Sequence, residues 1–281
     1  MYKLIALDID GTTVDPTGRV SPATAQAVSA AAAAGFEIVL ATGRNWTESR
    51  AIALALGHAG LGVFVGGAEI VDCRADRVLH RVHMDPGLAR AVCRQVEAAG
   101  HTAMALQDAE VAGHDYLLSE GRGLGAEMES WLAFATARIA RTPDLGTFAH
   151  PHTMRVGVVA KPEFVAEQVT LLERHFGDAV VHHVIHVPAY GVDVLEVFDP
   201  NVNKWQGLQW ILSQRGYKPE EVVAVGDDVN DLPMIQAAGL GVAMGNGKPE
   251  VQKVAKLVIG RNDADGLANF LRQLVAEHGP D

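Results

Sequence analysis

Two clusters of carboxylates, each delivered by an uncharged apolar run and each beside a glycine, are where this chain could do chemistry. The first is Leu4-Ile5-Ala6-Leu7-Asp8-Ile9-Asp10-Gly11-Thr12-Thr13; the second is Val222-Val223-Ala224-Val225-Gly226-Asp227-Asp228-Val229-Asn230-Asp231. Asp8, Asp10, Asp227 and Asp231 offer hard oxygen donors with no histidine or cysteine among them. Such a set suits Mg²⁺, which keeps several waters and bridges phosphate oxygens. Residues two apart on a strand project to one side, so Asp8 and Asp10 are expected to aim at one point. An acidic strand exit, or an acidic helix start favoured by the helix dipole, also occurs without chemistry. The argument for a site is that there are two such clusters.

The elements that must position them follow from the apolar pattern. Leu4-Ile5-Ala6-Leu7 and Val222-Val223-Ala224-Val225 read as strands buried on both faces, as in a parallel sheet. Open α/β sheets place their ligands at the carboxyl ends of such strands. Ser21-Pro22 opens a helix that Gly35 closes. A second buried strand spans residues 36–41 and ends at Thr42-Gly43-Arg44. A helix over 45–56 and a strand over 61–65 complete a βαβαβ rhythm with right-handed crossovers. The pattern changes near Asp85-Pro86. Helices over 88–99, 124–135 and 163–176 then mix with strands over 102–106, 111–117, 154–160, 180–187 and 192–197. After Lys204 the alternation resumes, with a helix to 215, strands over 222–225, 240–243 and 257–259, and helices from about 230 and 266. The expectation is an α/β chain with a Rossmann-like parallel-sheet core, residues 1–84 and 190–281, interrupted by an inserted α+β cap domain over 85–189.

Composition narrows the function classes. The 281 residues are 48% hydrophobic and include 29 glycines, enough chain for two compact units of ordinary globular type. Lys and Arg number 23 against 34 Asp and Glu, a formal net charge of −11, and no basic cluster interrupts it. That balance argues against nucleic acid as a partner. Cys73 and Cys93 have neither metal nor redox spacing and read as small apolar residues in a reducing compartment. The first apolar run stops at Asp8, too short for a secretory signal. The uncharged stretch 20–36 is rich in Ala and Ser, which does not read as a membrane span. A cytoplasmic protein is expected, as a monomer or a homodimer.

Other patterns carry less. His182-His183-x-x-His186 cannot converge on one metal from a strand, because 183 faces away from 182 and 186. Gly239-Leu240-Gly241 lacks the third glycine of a dinucleotide fingerprint, and Gly247-Lys248 is followed by Pro249, not Ser or Thr. Trp46, Trp205 and Trp210 neighbour motif residues. Packing of helices onto the sheet accounts for Trp210, while substrate stacking stays open for Trp46 and Trp205.

In chain order, Asp8-Ile9-Asp10-Gly11-Thr12, Thr42-Gly43-Arg44, Lys204 and Gly226-Asp227-Asp228-Val229-Asn230-Asp231 resemble the four motifs of the haloacid dehalogenase superfamily. Val242-Ala243-Met244-Gly245-Asn246-Gly247 and Asn262-Asp263-Ala264-Asp265-Gly266-Leu267 resemble segments of its Cof-type phosphatases, which carry a large inserted α/β cap. The resemblance implies Mg²⁺-dependent hydrolysis of a phosphomonoester through an aspartyl-phosphate. The implied substrate is a small phosphorylated metabolite, such as a sugar phosphate or a phosphorylated cofactor. A carboxylate attacking a phosphate dianion meets like-charge repulsion, which a divalent cation offsets. By resemblance Asp8 is nucleophile and metal ligand, and Asp10 is the acid/base whose main-chain carbonyl also meets the metal. Thr42, the Gly43 amide, Lys204 and Asn230 hold the phosphoryl group. Asp227 binds the metal, and Asp231 binds it directly or through water, or orients Lys204. The cap is expected to exclude bulk water and choose the leaving group, with His114, Tyr116, Arg155 and Tyr190 as candidate specificity residues.

Three positions depart from the pattern: Thr13 where leucine is frequent, Trp205 where glycine follows the lysine, and Gly66-Gly67-Ala68 where Asn-Gly-Ala is frequent. The last removes a polar side chain near the mouth of the site. A phosphosugar mutase and a non-catalytic phosphometabolite sensor on the same scaffold are the competing readings.

Overall fold

A computed structural model describes residues 1–120, 129, 137–187 and 191–278. The chain divides into two compact units, Met1–Arg81 with Asn203–Asp281, and Val82–Val202. Strands are numbered β1 to β14 in chain order.

The first unit is built on an eight-stranded sheet with the order β14-β13-β12-β1-β2-β3-β4-β5. These are β1 (Leu4–Leu7), β2 (Glu37–Ala41), β3 (Leu61–Phe64), β4 (Glu69–Asp72), β5 (Arg77–Arg81), β12 (Val222–Gly226), β13 (Leu240–Ala243) and β14 (Leu257–Val258). β1 is central and parallel to both neighbours, with Leu4 opposite Val222 on one side and Glu37 on the other. Its uncharged sequence follows from this position. Ile5 and Leu7 pack under the helices Pro22–Ala33, Trp46–Ala55 and Gly266–His278, while Leu4 and Ala6 pack under Lys204–Arg215 and Leu232–Ala237. Each fully buried Leu or Ile contributes roughly 1.5–3 kcal/mol relative to exposure, so a charge in β1 would be costly on either face. β4 and β5 are an antiparallel extension of the sheet at β3. The sequence did not announce them, because their charged residues break the buried-run signal.

The second unit carries a six-stranded sheet with the order β10-β11-β9-β6-β7-β8. These are β6 (Met104–Gln107), β7 (Tyr116–Ser119), β8 (Ile139–Thr142), β9 (Thr153–Ala160), β10 (Val181–Val187) and β11 (Val192–Phe198). The helices Pro86–Ala98 and Pro162–Phe176 bury Val92, Val96, Val165 and Leu172 against Val156, Val158, Leu195 and Val197. The strand expected over 111–117 is split. Asp108 caps a short helix, Ala109–Ala112, and Gly113 turns the chain in the left-handed conformation before β7. β8 was not anticipated, and the helix expected over 124–135 lies outside the described residues.

The boundary with the core also differs from expectation. β11 is zipped to β10 and β9 along its length, as its place among the strands of the inserted unit suggests, so the unit runs to Val202 and not to residue 189. Among the described residues no helix is long and apolar enough to cross a membrane.

Candidate active site

β12, β1 and β2 lie side by side and parallel, and the candidate residues follow their carboxyl ends. The Asp8 amide still donates to Val225 O at 3.0 Å, but the ladder stops there. Residues Ile9–Thr13 then curl into a tight turn in which Gly11 takes φ 76°. Strand alternation therefore does not extend to Asp10, and the two carboxylates diverge, contrary to the expectation from their spacing. Asp8 is buried. The Asp10 carboxylate is 54% exposed and accepts from Arg44 Nε at 2.7 Å and Nη2 at 2.6 Å.

The centre of the site is a buried cation between two carboxylates. Asn203 caps the helix Lys204–Arg215 by accepting from the Gln206 amide, which fixes Lys204 at the first turn. The Lys204 Nζ donates to Asp8 Oδ1 and to Asp231 Oδ1, both at 2.6 Å, and the lysine is 1% exposed. Asp231 Oδ2 accepts from the amides of Asp227 at 2.9 Å and Asp228 at 3.1 Å. Asp227 has weaker company, with Thr12 Oγ1 at 3.4 Å and Asn246 Nδ2 at 3.5 Å. The Asn246 amide nitrogen sits closer to Gly11 O, at 2.8 Å, and its oxygen accepts from the Asn262 amide, which ties this loop to the Gly11 turn.

Asp8, Asp227 and Asp231 each bring an oxygen within 4.8 Å of the others, the one such group of three among the described residues. Burial raises the Asp8 carboxyl well above the usual carboxylate range; Lys204 pulls it down, and Asp231, Asp227 and Asp10 push it up again. Burial, then Asp231 and Asp228, push the Asp227 carboxyl up to about 7. Burial works against the Lys204 charge, yet Asp231 and Asp8 outweigh it and raise the ammonium above its ordinary value. One ammonium thus faces three carboxylates, a charge deficit that a divalent cation would fill. The donor chemistry fits Mg²⁺. Asp231 has both oxygens engaged, whereas the Asp8 carboxylate and the weakly engaged Asp227 could hold the ion. The Asp10 carboxylate lies outside this group.

The remaining expected residues sit at the same end of the sheet. Thr42 is buried after β2, and its hydroxyl accepts from the Arg44 amide at 3.2 Å, which leaves its own proton to donate. Gly43 lies between them. Asn230 stands in the turn Val229–Asp231 with a buried Oδ1 that has no hydrogen-bond partner. Rotating that amide interchanges oxygen and nitrogen, so it can present either to a ligand. A cavity of about 410 Å³ opens beside Asp10, Gly11, Arg44, Asn246, Arg261 and Asn262. Sequence reasoning assigned no role to Arg44, Thr12 or Asn246. The adjacency of β1 and β2 could have pointed to Arg44, since their end loops must be neighbours.

The other candidates resolve differently. Trp46 bonds Asp76 through Nε1 at 2.6 Å and packs on Phe64, Trp205 is buried in the core, and Trp210 stacks on His80. In the second unit Arg155 forms a buried ion pair with Glu196 and donates to the Tyr116 hydroxyl at 3.3 Å. His114 is half-buried there, and Tyr190 lies outside the described residues. His186 bonds Asp193, and His183 lies against Phe198.

The haloacid dehalogenase-like hydrolase family matches residues 5–271 of this chain. Pyridoxal phosphate phosphatase YbhA of Escherichia coli is 28% identical over 96% of this chain and 97% of its own length. HMP-PP phosphatase of Serratia proteamaculans is 29% identical over 97% and 95%. Among solved structures, a haloalkanoate-superfamily phosphatase from Bacteroides thetaiotaomicron aligns with TM-score 0.76 at 26% identity, over 97% of this chain and 95% of that one. These full-length likenesses uphold the resemblance read from the motifs.

Proposed function

We propose that this chain, which belongs to the haloacid dehalogenase-like hydrolases, is a Mg²⁺-dependent phosphatase that cleaves the phosphomonoester of a small phosphorylated metabolite. The observation that carries the reading is Lys204, held by Asp8 and Asp231 at 2.6 Å each, with Asp227 under-neutralised beside them. Lys204 fixes Asp8 Oδ1 and leaves Oδ2 free to attack. Mg²⁺ bound at Asp8 and Asp227 would offset the repulsion between that oxygen and the phosphate dianion.

Asp8 Oδ2 forms a bond to phosphorus as the ester P–O bond breaks. Asp10, which must leave Arg44 and take up a proton before it can act as the acid, gives that proton to the leaving alkoxide. Water then attacks the aspartyl-phosphate, Asp10 takes the proton, and inorganic phosphate leaves with Asp8 restored. Thr42, the Gly43 amide and Asn230 donate to the phosphoryl oxygens, with the Lys204 charge close by. Asp231 holds Lys204 and the Asp227 and Asp228 amides in place. The named substrates of the two curated relatives, pyridoxal phosphate and HMP-PP, support a small phosphorylated metabolite.

The test is phosphate release from p-nitrophenyl phosphate and from a panel of phosphorylated metabolites, with Mg²⁺ and with EDTA. Turnover should require the ion, and Asp8→Asn should abolish it with the fold intact. Near-normal Mg²⁺-dependent hydrolysis by Asp8→Asn refutes the assignment. Isomerised sugar phosphate in place of free phosphate would establish the mutase instead.

A further inference from the structure

Four strands form the edges of the two sheets, and three of them are guarded. β14 has two residues, β5 carries Arg77 and Arg81, and β8 carries Arg141. β10 differs. It is seven residues long, Val-His-His-Val-Ile-His-Val, with no lysine, arginine, acidic residue or proline within it. Val184 is 38% and Ile185 43% exposed. One side of β10 is paired antiparallel with β11 from Val181 opposite Phe198 to Val187 opposite Val192. Among the described residues nothing pairs its other side. A strand of this kind presents the N–H and C=O of alternate residues as a template for another strand, and natural edges normally carry charge, proline or a bulge to prevent that.

The sequence of β10 selects the partner. Read backwards it is Val-His-Ile-Val-His-His-Val, so the strand nearly matches its own reverse. An antiparallel second copy centred on Val184 sets Val181 opposite the partner's Val187 and His182 opposite the partner's His186. His183 then meets the partner's Ile185, and Val184 meets the partner's Val184. A two-fold interface requires this self-complementarity, because each contact occurs twice with the roles exchanged. We infer that two copies of this chain join β10 to β10 antiparallel about a two-fold axis at Val184, so that the six-stranded sheet continues from one copy into the other. A seven-residue edge buries less than the roughly 1,200 Å² of a standard stable interface, so the dimer forms reversibly and depends on concentration. The inference is independent of the phosphatase reading, since it is argued from the sequence and pairing of β10 alone.

Sedimentation velocity of the full-length protein across the micromolar range should show a monomer–dimer equilibrium. The Val184→Lys/Ile185→Lys variant should sediment as a monomer throughout, with hydrolysis of p-nitrophenyl phosphate per chain unchanged. Register is tested separately in a Cys73→Ser background. There Val184→Cys should form a disulfide-linked dimer under mild oxidation, because paired antiparallel residues lie within disulfide reach. His183→Cys should not, because it faces the partner's Ile185. A wild-type protein monomeric at every concentration overturns the inference. So does a dimer that survives the two lysines, or equal cross-linking at 183 and 184.

Discussion

Gly11 leaves the space that the Asp227 carboxylate occupies: a Cβ at Gly11 would lie 2.1 Å from Asp227 Oδ2. The same glycine takes φ 76°, a conformation that residues with a side chain rarely adopt. Gly11→Ala should therefore displace Asp227 and weaken Mg²⁺ binding by about 10–100-fold, the usual cost of disturbing a ligand's support. Titrating activity against Mg²⁺ measures this, and an unchanged half-saturating concentration would contradict it.

Lys204 is the only positive charge bonded to Asp8 and Asp231 in the hydrogen bonds described. Lys204→Met removes it and leaves two buried carboxylates uncompensated, which should cost about 3–5 kcal/mol of stability and abolish turnover. Lys204→Arg should not restore activity, since a planar guanidinium does not fit a space shaped for an ammonium that is 1% exposed. Urea denaturation and the hydrolysis assay read the two effects separately.

The raised carboxyls of Asp8 and Asp227 set a pH dependence whose sign is fixed. A carboxyl raised on folding favours the folded state fully below its unfolded value of about 3.9, and that contribution is lost as pH climbs through the folded value. Asp227 at about 7 thus makes the metal-free protein progressively less stable as pH rises from about 3.9 to about 7, with the loss levelling off above that. Mg²⁺ binds the ionised pair, so the rise in Tm on adding MgCl₂ after EDTA should grow over the same interval. A rise equal at about pH 5 and about pH 8 would contradict the linkage.

Asp10 and Asp227 should separate chemistry from ion binding. Asp10→Asn should lower kcat by at least about 10²-fold, the range of a lost acid/base, while keeping the Mg²⁺-induced rise in Tm. Asp227→Asn should lose both. Equal loss of that rise in the two variants would place the Asp10 carboxylate on the ion.

The parallel core was legible because its strands are buried on both faces and read as unbroken apolar runs, as Leu4 to Leu7 and Val222 to Val225 do. The hairpin of β4 and β5 and the edge strand β8 were not: β4 is short, with the charged Glu69 and Asp72 at its ends, and half-exposed strands with arginines, such as β5 and β8, look like loops. The acidic residues were visible from spacing alone, yet their division of labour was not. Strand alternation predicts that Asp8 and Asp10 converge, and it fails because the ladder ends one residue too early. That Asp231 secures Lys204 and two amides depends on the close approach of Gly226, where a Cβ would meet Asp231 Cγ at 2.4 Å. No periodicity encodes such a contact.

β1 pairs in register with β12, and Lys204 bonds a residue 196 positions before it. Contacts of such long range are slow to form, because the closure entropy must be met before they can stabilise anything. On the ribosome the first strand emerges long before its neighbour β12 exists, and the whole second unit is synthesised in between. The apolar amino-terminal strand must wait, shielded or at risk, and no incomplete nascent chain lacking β12 can hold the assembled charge cluster. Truncation products of this chain should therefore be inert and prone to aggregate.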